Sequence, residues 1–129
     1  MLRMNYEIAN TFVALEDGGH ARPLPVNEDF WPKIMSGAFG TFSRLISQFS
    51  FDKDWESWER HPAGEEFVCL LEGSVELVLE IDGQHERVTL SKPGEYVLVP
   101  KNTWHTAKVR KPARMLFVTP GEGTQNRPA

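Results

Sequence analysis

The sequence predicts an all-β protein, on three observations. Apolar and polar residues alternate along most of its length, the alternating runs are rich in β-branched and aromatic residues, and long stretches at helical period are missing. Strands are predicted over residues 11–16, 21–26, 39–51 (with room for a bend), 66–71, 74–81, 85–90, 96–99, 104–110 and 113–119. Turn signals separate them. The clearest is "IDGQ", where Asp82 and Gly83 between two alternating runs predict a type I′ hairpin turn. "KPGEY" and "VPKNTW" punctuate the second half in the same way. Several short strands at this spacing form a sandwich, a jelly roll or a barrel. The segment 27–36, "NEDFWPKIMS", reads as a loop or one short helical turn. The final "TPGEGTQNRPA" reads either as a frayed terminus or as a segment folding back over a barrel mouth.

A chain of 129 residues is most simply one domain. At that length about two-thirds of the unfolded surface is buried on folding. The hydrophobic fraction of 40% and charged fraction of 25% fit an ordinary globular core, so the nine prolines and ten glycines point to turns rather than disorder. Fourteen basic against eighteen acidic residues leave a net charge of -4, which lacks the basic footprint of a nucleic-acid binder. The single Cys69 excludes an intramolecular disulfide, and the opening "MLRMNYEIAN" lacks the apolar stretch of a secretory signal. The longest apolar run, "FVCLL", is too short to span a bilayer, so no membrane partner and a cytoplasmic location are expected.

Ionisable residues crowd into "SWERHPAGEEF". Residues i and i+2 of an extended segment share a face, so Glu59 and His61 can converge on one point while Arg60 faces away. A turn through Pro62 and Gly64 then brings Glu65 or Glu66 back beside them. Later, "VPKNTWH" ends a strand at Pro100, turns through Lys101 to Thr103 and resumes at Trp104, offering His105 as another convergent nitrogen. Two imidazoles and two carboxylates suit a borderline divalent metal. The other reading is a dense polar rim.

The two segments resemble the two motifs of the cupin superfamily. The first motif carries a histidine pair one residue apart, then a glutamate, then a glycine; Glu59, His61, Glu66 and Gly73 stand at those positions, with Glu59 where the first histidine is usual. The second runs from a glycine through a proline to a histidine, matched by Gly94, Pro100 and His105, with Asn102 at the usual small residue. "WERHPAGEE", "VPKNTWH" and "LFVTPGEGTQNRP" are similar to a set of small single-domain bacterial cupins. The resemblance implies a cupin-type double-stranded β-helix, or jelly-roll barrel. Its expected parts are N-terminal strands in 1–38, a motif-bearing core in 39–119 and a C-terminal tail in 120–129. It implies one divalent transition metal (Fe, Mn, Zn or Ni) on Glu59, His61, Glu66 and His105, a small-molecule ligand, and a homodimer.

The glycine spacing of the motif selects Glu66 over Glu65, leaving Glu65 beside the pocket. Trp58 and Trp104 flank the ligands and could wall a pocket for a small apolar or planar molecule, as could Trp55; core or dimer packing is the alternative. Cys69 reads as a small buried hydrophobe, while His20 and His85, without partners at ligand spacing, read as exposed. Lys101, Arg60 and Arg110 could steer an anionic substrate, a solvated charge being the commoner role. The fold hosts dioxygenases, isomerases, decarboxylases, sensors and storage proteins. Two functions are therefore expected in competition: a metal-dependent oxygenase or isomerase acting on a small molecule, or a non-catalytic binder, sensor or carrier, whose metal site has eroded at Glu59.

Overall fold

The computed structural model describes residues 5–129, so residues 1–4 of the expected N-terminal segment lie outside the described residues. Among the described residues nine strands and one helix follow one another: β1 (Thr11–Leu15), β2 (Ala21–Pro25), α1 (Phe30–Ser36), β3 (Arg44–Phe51), β4 (Ser57–Arg60), β5 (Glu66–Ile81), β6 (Gln84–Leu90), β7 (Tyr96–Val99), β8 (His105–Thr119) and β9 (Gln125–Pro128). All pairings are antiparallel. One path through the sheet runs β2-β1-β3-β8-β4-β9, and β5 branches from β8 to carry β6 and β7. The fold is the expected all-β jelly roll.

Two long strands dominate it, where the sequence reads as four short ones. β5 absorbs the predicted strands 66–71 and 74–81, and β8 absorbs 104–110 and 113–119. They pair from Phe67↔Val118 to Leu79↔His105, with register shifts between Leu70 and Val75 where both strands bend. Before the bend β5 sends Val68 and Leu70 into the main core; after it the core residues are Val75, Leu77 and Leu79, with Cys69 and Val78 buried outside that cluster. The change from even to odd numbers is what one extra residue in a bulge produces. Gly73 allows it. Its φ is 89°, and a Cβ there would lie 2.1 Å from the carbonyl oxygen of Pro112. The inward residues of β5 and β8 form one apolar core with Leu90 and Val99.

The Asp82-Gly83 turn joins β5 to β6 with φ of 53° and 77°, as a type I′ turn requires. The predicted strand 39–51 starts only at Arg44. Gly37 and Gly40, both at positive φ, break the extended path before it, and Phe39 and Phe42 pack from this loop against a second core of Phe12, Ala14, Leu24, Phe30 and Leu45. The segment 27–36 contains a true helix: Phe30 is fully buried against Phe12, Pro32 sits in the tolerant first turn, and the αL residue Gly37 ends it. The last residues are not frayed. Gln125–Pro128 pairs with β4 from Ser57↔Pro128 to Arg60↔Gln125.

Candidate metal centre

β4 is tied to the barrel before it reaches the site. The Trp55 amide donates to the Ala107 carbonyl (3.0 Å), and the Thr106 hydroxyl donates to the Ser57 carbonyl (2.9 Å). That docking sets Glu59 opposite His105 in the sheet register. The chain then turns through 62–65, and the His61 carbonyl accepts the amide of Asn102, whose φ of 58° lets "PKNT" close tightly. The two motif turns are thereby pinned together. Glu66 opens β5 fully inside the barrel.

One ligand atom from each of Glu59, His61 and His105 lies within 4.8 Å of the other two. Glu66 forms the inner wall, its Oε1 3.0 Å from His105 Nε2 and 3.4 Å from His61 Nε2. Glu59 Oε2 stands 3.8 Å from His61 Nε2 at the half-exposed rim. Outer partners hold these groups: Thr119 Oγ1 donates to Glu66 Oε2 (2.5 Å), His105 Nδ1 meets the Thr103 carbonyl (3.0 Å), and His61 Nδ1 meets Thr124 Oγ1 (2.8 Å). β8 thus brings both of its ends, His105 and Thr119, to Glu66.

The electrostatics separate the two carboxylates. Burial opposes ionisation of Glu66, but the hydrogen bond to His105 and the charge of the two imidazoles outweigh it and hold the carboxyl at about 2. Glu59 shifts upward, first through burial and then through the nearby charge of Glu66, with both imidazoles opposing. For His105, burial disfavours the cation, and Glu66 overcomes this to raise its pKa. The site is built around positive charge. His61 Nε2, buried and without a hydrogen-bond partner, faces the same point, and leaving such an atom unmet costs about 1–3 kcal/mol. Nitrogen and carboxylate ligand atoms around that unmet nitrogen fit a borderline divalent metal.

The sequence matches the cupin domain family over residues 50–119, more than half of the chain and the stretch containing all four expected ligands. The chain belongs to that family. No curated protein matches it at a significant level. Among solved structures, a cupin-2 domain protein from Shewanella frigidimarina is 18% identical with a TM-score of 0.51, covering 60% of this chain and 71% of its own. Hydroquinone 1,2-dioxygenase PnpCD, solved with Cd2+ and 4-hydroxybenzonitrile, is 16% identical with a TM-score of 0.55, over 64% of this chain and 61% of its own. The Mn(II) protein oxalate decarboxylase of Bacillus subtilis is 13% identical with a TM-score of 0.54, over 67% of this chain and 24% of its own. The cupin described here therefore spans less than two-thirds of these two enzyme chains.

Not every flanking residue joins the cupin site. Glu65 is exposed, one residue outside β5. Trp58 lies against Arg127 and His85, and Trp104 lies between Arg60 and Arg127, at 4.8 and 4.5 Å from the ring centre. Trp55 comes nearer the ligands: its ring centre is 6.3 Å from that of His105 and packs on Phe51 and Phe117. Cys69 is buried, and burial pushes its thiol up; His20 and His85 are exposed. Sequence reasoning missed Thr119 and Thr124. Thr119 had a signal, since it stands on the inward alternation of Ala113, Met115 and Phe117; Thr124 had none.

Proposed function

We propose that this cupin binds one divalent transition metal (Fe, Mn, Zn or Ni) through Glu59, His61, Glu66 and His105, and acts on a small molecule as a metal-dependent oxygenase or isomerase. The observation that carries the reading is the convergence of ligand atoms of Glu59, His61 and His105 around the unpartnered Nε2 of buried His61. Structural neighbours that include a dioxygenase and a Mn(II) decarboxylase support it at the level of fold.

A metal held there would supply Lewis acidity or oxygen activation. The chain's own residues divide the remaining work. Glu66, held ionised and fixed by Thr119, supplies permanent negative charge at the inner wall. Glu59 is at the rim, reaches solvent and has a raised pKa, so it is the group suited to take or return a proton on a bound substrate. Trp55, packed on Phe117 and beside His105, gives the site an apolar flank. The same proposal has the protein working in the cytoplasm, where its one buried thiol stays unpaired, and as a homodimer through the sheet edge at β2.

Thermal denaturation of chelator-treated protein tests the reading. Mn(II), Zn(II), Ni(II) or anaerobic Fe(II) is expected to raise the transition; at a free concentration of 100 Kd the stabilisation is about 2.7 kcal/mol. No shift with any of the four metals, together with stabilisation of the metal-free protein by a small metabolite, would replace it with the binding-module reading.

A further inference from the structure

The two imidazoles of the centre are oriented by different means. His105 Nδ1 lies 3.0 Å from the Thr103 carbonyl, which can only accept, so Nδ1 carries a proton; Nε2, 3.0 Å from ionised Glu66, donates a second proton to that carboxylate and is the nitrogen a metal would take in its place. For His61 the partner is a hydroxyl, which can donate or accept. Its direction is fixed by a second contact: Thr124 Oγ1 donates its hydrogen to the Gly121 carbonyl at 2.8 Å. A hydroxyl has one hydrogen, so toward His61 Nδ1, at 2.8 Å, the oxygen must accept. Nδ1 therefore carries a proton, and Nε2, aimed at Glu59 and Glu66, is the nitrogen left to coordinate.

Thr124 does not belong to the barrel proper. It sits in a turn in which the Gly121 carbonyl also accepts the Thr124 amide (3.1 Å), and Gly123 contributes a φ of 74°. The strand that follows straps this turn down. Gln125 Oε1 accepts from Arg60 Nε at 2.5 Å, Arg127 pairs with Glu80 and lies between Trp58 and Trp104, and the Ala129 amide donates to the Glu56 carbonyl at 3.0 Å. The aromatic and cationic side chains on the face of β4 away from Glu59 thus acquire a role: they clamp the segment that carries Thr124.

We infer that Thr124 is a positioning residue for the metal centre, holding His61 in the tautomer whose Nε2 is free to bind the ion. This rests on the metal reading above for its consequence, although not for the tautomer itself. Outer partners that fix a ligand histidine typically change metal affinity about 10- to 100-fold when removed.

The test is long-range 1H–15N NMR of the histidine rings in metal-free protein, paired with Co(II) titration followed by absorbance. In the wild type, His61 is expected to carry its proton on Nδ1. Thr124→Val keeps the shape and removes the hydroxyl; it is expected to mix the His61 tautomers, leave His105 unchanged and weaken Co(II) binding about 10- to 100-fold. Thr124→Ser should restore both readouts. A wild-type His61 protonated on Nε2 overturns the inference without any variant. So does a Val variant with wild-type tautomer and affinity, or a Ser variant that restores neither. A wild-type protein that binds no Co(II) removes the metal reading instead, and the tautomer comparison still decides for or against Thr124.

Discussion

Glu66 is 3% exposed and charged, which in a barrel interior is tolerated only with a partner. Its partners are two imidazoles and one hydroxyl, so the carboxylate depends on a cation at His61 and His105, either a proton or a metal. Glu66→Gln keeps the shape and deletes the charge. Metal titration should show a loss of affinity of at least about tenfold, while unchanged binding would show that Glu66 is not a ligand. Glu59 should behave differently because it is half-exposed and replaceable: Glu59→His, which supplies the residue usual at that motif position, should retain metal where Glu59→Ala weakens it. The motif spacing made Glu59, His61, Glu66 and His105 legible in the sequence. Their orientation was not, since it depends on Thr119 and Thr124, which arrive from 53 and 63 residues away.

At the scale of elements, alternation revealed the strands that bury one face and failed for those that do not. β4 is "SWER" and β9 is "QNRP"; neither alternates, and β4 exists because β8 and β9 pair with it across long loops, β9 because β4 does. The bends in β5 and β8 read as strand ends because Gly73 and Pro112 are turn residues locally, yet together they form a bulge that keeps both strands continuous. Gly73→Ala combines a left-handed φ with a clash against the Pro112 carbonyl. Urea denaturation should show a loss of about 2 kcal/mol or more, and an unchanged midpoint would contradict the close approach. The turn before β7 offers a pH test. Glu95 Oε1 accepts the amides of Ser91 and Lys92, and these bonds lower its carboxyl below the usual value near 4.5. A depressed carboxyl stabilises the fold above its unfolded pKa and ceases to do so as pH falls through the folded one. Glu95→Gln should therefore melt below wild type at pH 7, with the gap closing in acid; a gap that persists at pH 2 would refute the assignment.

For the whole molecule, two apolar cores meet at Phe49, which packs on both. Among the described residues no helix is long and apolar enough to cross a membrane. The proposed homodimer should scatter light with twice the chain mass of 14.7 kDa, and a monomer across micromolar concentrations would exclude it. The central claim is that the crowd of ionisable side chains at "WERHPAGEE" and "NTWH" exists to hold a metal. Elemental analysis of untagged protein, purified without chelator or added metal and set beside His105→Ala, tests it most directly. The account predicts near one equivalent of a transition metal in the wild type and almost none in a variant that still gives a β-rich circular dichroism spectrum. Wild-type protein that is metal-free and stays so after reconstitution, or full metal in His105→Ala, would contradict it.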